Sequence, residues 1–236
     1  LTAGNVGLLK HASNVPGCAM AIEETFREAG YPDGVFQSLL IPSDLVDDVI
    51  EDDRVTAATL TGSGPAGRAV ASTAGQHLKK TVLELGGSDP FVVLDDADVE
   101  AAAETGAWAR NLNGGQSCIA AKRFVVQDAV YDEFVERFVE TVESLVVGDP
   151  MDEATDVGPQ ARQDLLSGLH EQVEASVEAG ATVLTGGEPM EREGAYYPPT
   201  VLADVPAGCP ADSEEVFGPV AALFRVGSED EAVEKA

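Results

Sequence analysis

The run Asn113-Gly114-Gly115-Gln116-Ser117-Cys118 sets one thiol at the end of a glycine-softened loop. Upstream, Glu84-Leu85-Gly86-Gly87 sets one carboxylate at the end of an apolar strand pattern. A thiol nucleophile needs a loop that lets it approach an electrophilic carbon, and backbone N–H groups nearby to hold the developing oxyanion. A carboxylate beside it can activate the water that releases a thioester. Each piece alone has a plainer reading, since a buried cysteine behaves as a small apolar filler. A third segment, Gly62-Ser63-Gly64-Pro65-Ala66-Gly67, satisfies G-x-G-x-x-G between a strand pattern and a helix pattern. Glu84 follows Gly62 by 22 residues, where a generic dinucleotide-binding unit carries its ribose-binding acid. The residues therefore leave two roles open for Glu84, ribose ligand or base.

Alternating strands and helices must position these groups, and that alternation predicts a parallel α/β sheet. Val6–Leu9 is a short apolar run, and Ser13 with Pro16 predicts the start of a helix ending near Gly30. Strands follow at Val35–Leu40, Val55–Leu60 and Thr81–Leu85, with helices at Ser43–Ile50 and Pro65–Gln76 between them. This is most of a dinucleotide-binding sheet. After the Gly86–Gly87 pair the pattern restarts with a strand at Pro90–Leu94, a helix from Val99 to Asn111 and the cysteine loop. A strand at Lys122–Gln127 precedes an amphipathic helix with apolar positions Val130, Phe134, Val135, Phe138, Val142 and Leu145. A second long helix at Arg162–Ala179, a strand at Ala181–Leu184 and a late strand-helix start at Phe224–Val226 and Ser228–Ala236 complete the pattern. The expected domains are 1–86, the later part of a dinucleotide-binding domain, and 87–236, a second α/β domain. The chain opens on Leu1 inside what reads as a helix end, so it is expected to be a piece of a longer chain.

Composition narrows the partners. With 14 Lys+Arg against 42 Asp+Glu, the net charge of −28 repels nucleic acid and anionic lipid, so neither is an expected partner. No apolar run is long enough to span a membrane, and the first residues show no signal-peptide pattern, so cytoplasm is the expected compartment. The acids are dispersed, as in Glu133, Glu136, Glu140 and Glu143, while the apolar positions are kept. Dispersed acid with few lysines reads as a haloadapted surface, an ordinary acidic protein being the alternative. The three cysteines and three histidines show no ligand spacing, so neither a disulfide nor a metal site is expected. Cys18 falls on an apolar helical face and reads as core, and Cys209, beside Pro210, reads as an incidental loop residue.

The glutamate and cysteine segments together resemble the corresponding blocks of the aldehyde dehydrogenase superfamily. Gly4-Asn5 with Val6-Gly7-Leu8-Leu9-Lys10 is similar to that family's strand bearing a ribose-binding lysine. Thr61-Gly62-Ser63 with Gly67 is similar to its cofactor loop, and Glu214-Glu215-Val216-Phe217-Gly218-Pro219-Val220 to its nicotinamide-ribose block. These blocks, in the right order, cover nearly the whole chain. Leu9-Lys10-His11-Ala12, Leu85-Gly86-Gly87-Ser88-Asp89-Pro90-Phe91, Ala121-Lys122-Arg123-Phe124 and Tyr196-Tyr197-Pro198-Pro199-Thr200 resemble the bacterial succinate-semialdehyde dehydrogenase branch.

The resemblance implies an aldehyde dehydrogenase-like fold, an incomplete dinucleotide-binding parallel sheet followed by an α/β catalytic domain, truncated at its C-terminus. It makes Cys118 the nucleophile and Glu84 the general base. Cofactor contacts are implied at Lys10, Ser13, Thr61, Gly62, Ser63, Gly67, Leu85, Glu215 and Phe217, with NAD or NADP as cofactor. Members preferring NAD often carry a glutamate where this chain has Ser13, and a serine does not repel a 2′-phosphate. The implied reaction is oxidation of a small aldehyde, succinate semialdehyde first, by a full-length parent that is a homo-oligomer. Another semialdehyde or a broad range of aldehydes is the alternative substrate reading. For the chain as given, a non-catalytic fragment or binding module is the alternative, because the asparagine block that supplies a second oxyanion donor does not occur in it. Glu84 disfavours the coenzyme-A-acylating route. Arg110 is a candidate partner for the distal carboxylate of the substrate, or else one half of a solvent-exposed ion pair.

Overall fold

The computed structural model describes all of residues 1–236 and divides into two compact units, Leu1–Leu85 and Gly86–Ala236. In the first unit, β1 (Gly7–Lys10) pairs in parallel with β2 (Phe36–Leu39), and α1 (Pro16–Glu28) connects them. A 3-10 turn at Ser43–Leu45 and α2 (Val46–Glu51) lead to β3 (Ala57–Gly62), which is joined through α3 (Gly64–Gln76) to the parallel strand β4 (Lys80–Leu85). The expected elements are present, but the two strand pairs are not hydrogen-bonded into one sheet.

Two local readings of this unit are corrected. Val15, not Ser13, occupies the N-cap of α1, and no side chain caps it; Pro16 alone marks the start. Cys18 is exposed, because Ala19 is the buried residue of α1 and its neighbour faces outward.

The second unit is built on five strands in the order β5-β6-β9-β8-β7. They are β5 (Asp89–Val93), β6 (Ala121–Gln127), β7 (Thr182–Thr185), β8 (Thr200–Ala203) and β9 (Val220–Val226). All neighbours are parallel except β7 against β8. β9 is a nearly continuous apolar run and β6 carries one at Phe124–Val126, because both faces are covered, as parallel sheets require. Along β9, Ala221 and Leu223 enter one core while Val220, Ala222 and Phe224 enter another. The first core is closed by α4 (Val99–Asn111) and α5 (Asp128–Glu143), the second by α6 (Gln163–Ala179) and α7 (Pro210–Ser213). A small third cluster joins Val125 and Val226 to Ala232 on α8 (Glu229–Lys235).

The amphipathic pattern of α5 places Phe134 and Phe138 in the first core, where Phe138 lies 4.7 Å from Phe124 between ring centroids. Each such fully buried side chain contributes about 1.5–3 kcal/mol. Gly106 lets α4 approach: a Cβ there would stand 2.8 Å from the Phe124 ring. Cys209 is also corrected; it is buried in the second core at the N-cap of α7 rather than incidental.

Glu133, Glu136, Glu140 and Glu143 all lie on the exposed face of α5. If the dispersed acid is an adaptation to salt, raising KCl to molar levels, where the Debye length falls to about 3 Å, should lift Tm by about 5 °C or more. A thermal scan with a flat response rejects haloadaptation.

Candidate active site

The cysteine loop begins where α4 stops. Asp98 caps α4, its side chain accepting from Ala101 N at 3.1 Å. Past the helix end, Asn113, Gly114 and Gly115 all take left-handed backbone angles, with φ of 57°, 63° and 72°. Glycine adopts this region freely, and asparagine tolerates it when its side chain bonds locally. Here Asn113 Nδ2 donates to Gln116 O at 3.0 Å, and Gln116 Nε2 returns a bond to Asn113 O at 3.1 Å. A side chain at Gly115 would collide with the Gly218–Pro219 backbone, so the loop lies directly on the late block. From the far side, Gln160 Nε2 donates to Gly114 O at 3.0 Å and Ala161 N to Gln116 Oε1 at 2.8 Å.

Two buried cations hold the loop from beneath. Arg110 is 0% exposed and its Nη2 donates to Gly115 O at 2.5 Å. Its Nε and Nη1 are buried without a hydrogen-bond partner, and burial pushes the guanidinium down to about 10, with Glu215 opposing. Arg110 is thus not an exposed ion pair; its Nη2 acts on the loop backbone. Lys122, 2% exposed near the start of β6, donates to the carbonyls of Cys118 at 2.8 Å, Ser117 at 3.2 Å and Ala120 at 3.4 Å. Burial lowers its pKa, as does the Arg110 charge, while Glu215, Asp89 and Cys118 act the other way. Cys118 itself is half-buried, unlike exposed Cys18 and buried Cys209.

Glu215 lies at the centre of this arrangement. Its Oε1 is 3.7 Å from Lys122 Nζ and is buried with no hydrogen-bond partner. The carboxylate sits against Gly86, where any Cβ would occupy its place. Gln172 on α6 holds the segment, donating to Glu214 Oε2 at 2.8 Å and to Glu215 O at 3.2 Å. Phe217 is not a core aromatic. It is 38% exposed and lines a groove of about 330 Å³ with Leu165, Gly168 and Leu169 of α6.

In the first unit, the remaining candidates gather at the carboxyl ends of parallel strands, where open α/β sheets bind ligands. Thr61 pairs in register with Glu84, and Gly62 with Leu85. Ser63 caps α3, its Oγ accepting from Ala66 N at 3.4 Å. Gly67 packs closely on Leu85: a Cβ there would stand 2.6 Å from a Leu85 methyl, so that side chain would have to shift. Lys10 ends β1, and its Nζ donates to Ser43 Oγ at 3.3 Å. Ser13 is exposed in the turn before α1, and Glu84 is exposed at the end of β4.

Sequence reasoning missed Lys122, Gln160 and Ser43; it placed Arg110 correctly on the helix entering the loop but did not foresee its burial. The signal for Lys122 was available: a lysine at the start of a strand pattern, four residues after the cysteine. No group of three or more His, Cys, Asp or Glu side chains is arranged to hold a metal ion, and no helix is long and apolar enough to cross a membrane.

The aldehyde dehydrogenase family model matches residues 1–236. Over 234 residues the chain is 53% identical to the NADP(+) succinate-semialdehyde dehydrogenase of Mycobacterium avium, covering 99% of this chain and 50% of that protein. It is 53% identical to a probable NADP(+) succinate-semialdehyde dehydrogenase of Synechocystis, covering 99% of this chain and 51% of that one. The crystal structure of succinic semialdehyde dehydrogenase from Streptococcus pyogenes with NADP+ superposes with a TM-score of 0.96 at 39% identity, over 99% of this chain and 51% of that chain. The chain therefore spans about half the length of the curated relatives it matches.

Proposed function

This chain belongs to the aldehyde dehydrogenase family, and from that premise we propose that it carries the nucleophile and much of the cofactor site of an NADP-dependent enzyme oxidising succinate semialdehyde to the acid. The observation that carries the reading is Cys118: a half-buried thiol on a loop fixed by two buried cations beneath it. Its Sγ attacks the aldehyde carbon to give a thiohemiacetal, and a backbone N–H of the loop receives the oxyanion. Loss of hydride leaves an acyl group on Cys118 as a thioester. Glu84 takes a proton from water, the resulting hydroxide attacks the thioester, the C–S bond breaks to release the carboxylic acid, and the proton on Glu84 returns to the Cys118 sulfur.

The residues fit a dinucleotide. Glu215 offers a carboxylate whose Oε1, beside Lys122, has no hydrogen-bond partner, which suits ribose hydroxyls, and Phe217 offers an exposed ring three residues before β9. Lys10 and Ser13 would meet the adenine ribose end. Thr61, Gly62, Ser63, Gly67 and Leu85 line the turn and strand ends that would take the pyrophosphate side. The bound dinucleotide supplies the hydride acceptor. The relatives named for NADP(+) support that form of the cofactor, and no acid stands at Ser13 to repel a 2′-phosphate. In this reading residues 1–86 contribute most dinucleotide contacts and Glu84, and residues 87–236 contribute Cys118 with the late contacts Glu215 and Phe217.

Succinate semialdehyde is favoured over other aldehydes by the 53% identity to relatives bearing that activity. The test is reduced-dinucleotide formation by the intact protein with succinate semialdehyde beside other small aldehydes, whose preference for an aldehyde lacking a distal carboxylate would overturn the substrate. Ser13→Glu should lower kcat/KM for NADP relative to NAD by about tenfold or more, through repulsion of the 2′-phosphate. A ratio unmoved in steady-state assays removes Ser13 from the cofactor site.

A further inference from the structure

We propose that Lys122 is a positioning residue that turns the Ser117–Cys118 peptide so that the Cys118 N–H faces the reacting carbonyl oxygen. The inference rests on the reading of Cys118 as nucleophile. Lys122 Nζ accepts no bond; it is a buried donor, and it donates to the carbonyls of both Ser117 and Cys118, at 3.2 and 2.8 Å. In a trans peptide the C=O and the following N–H point in opposite directions, and the chain contains no cis peptide. With the Ser117 carbonyl drawn inward, the Cys118 N–H leaves the loop on the side away from the ammonium. The Cys118 carbonyl converges on the same Nζ, so the Ile119 N–H leaves on that side too. Neither N–H donates to a backbone group, whereas Ala120 N turns back to Ser117 O at 3.2 Å. The Ile119 side chain is 81% exposed, so the loop is open there.

A flipped 117–118 peptide would present a carbonyl to the substrate instead of a donor. The ammonium opposes that flip, because Lys122 is almost fully buried and a flip would take the Ser117 carbonyl away from it. Arg110 does the same for Gly115 O, one residue before Gln116. Lys122 therefore acts through the backbone of Cys118, not on the substrate.

The test compares two reactions of Cys118 that differ in needing an oxyanion site. With p-nitrophenyl acetate, Sγ attacks the ester carbonyl, the C–S bond forms through a tetrahedral oxyanion, and p-nitrophenolate leaves with the electron pair of the broken C–O bond. With iodoacetamide, Sγ displaces iodide directly and no oxyanion forms. Peptide mass mapping separates Cys118 from exposed Cys18. In the intact protein, Lys122→Met should lower acylation relative to alkylation by about 10- to 100-fold, the cost of a misplaced donor. Lys122→Gln, which keeps an amide NH2 donor without charge, should fall between parent and Lys122→Met.

If Lys122→Met does not fold, judged by Tm and near-UV dichroism, Lys122→Gln carries the test with a ratio at least about threefold below the parent. A parental ratio in either folded variant overturns the proposal. So does an equal fall in both reactions, which would mean that Lys122 acts on the thiol itself. Neither reaction uses an aldehyde or a dinucleotide, so a parent that fails to oxidise aldehydes sinks the proposed function but leaves this measurement standing. A parent whose Cys118 is not acylated at all overturns the nucleophile reading and this inference together.

Discussion

Cys118→Ala is expected to remove single-turnover formation of reduced dinucleotide from succinate semialdehyde, slowing it by about 10⁴-fold or more. The size of the effect follows from the chemistry. Without the thiolate there is no covalent adduct from which hydride can depart, and the loop's N–H donors have no bound oxyanion to stabilise. Fold should be retained, since Cys118 is half-buried and belongs to none of the three apolar clusters. Stopped-flow absorbance of the reduced cofactor, with Tm measured beside it, decides the matter. A burst of parental size in the variant would exclude Cys118 and leave the family match as a statement about fold.

Glu84→Gln should behave differently, and the difference separates the two roles left open by its position. As the base of deacylation, Glu84 acts after hydride transfer. The variant should then give one equivalent of reduced dinucleotide per Cys118, followed by turnover slowed by about 10²- to 10⁴-fold. Intact mass should show the acyl group retained on the protein, and hydroxylamine should release it by attacking the thioester in place of activated water. As a ribose ligand, Glu84 would affect cofactor KM and leave the steady state at saturation largely intact. An unchanged steady-state rate, or a lost burst, rejects the base. In the structure Thr61 and Glu84 are register partners at the ends of β3 and β4, so either role begins from the same strand end.

Much of the framework was legible because it depends on local rules. The helix spacing of α5 is carried by Phe134, Phe138 and Val142, which all reach the core. Strand-ending glycines, the Pro16 helix start and the alternation of elements likewise follow from backbone sterics and burial within a few residues. The short strand β8 was not distinguished, since Thr-Val-Leu-Ala carries no turn signal or period of its own; its partners β7 and β9 make it a strand. Cys18 was misread because one apolar face was expected on α1, whereas only Ala19 is buried there.

By itself the sequence determined which chemistry is available: one thiol in a glycine-rich loop, one carboxylate before a glycine pair, and the order of blocks that marks the family. Residue type and spacing suffice for that, because nucleophile, base and turn residues are chosen for intrinsic properties. Only the tertiary structure decided what Arg110, Lys122 and Glu215 do. Their charge is obvious in the sequence, but a charge acts according to burial and to the groups it meets. Those groups are carbonyls of a left-handed loop and a carboxylate about 90 residues downstream. An arginine read as a carboxylate partner or a surface ion pair is buried against Gly115 O, and a lysine without an assigned role holds the carbonyls of Ser117 and Cys118, because folding brings donors and acceptors together that no local pattern connects.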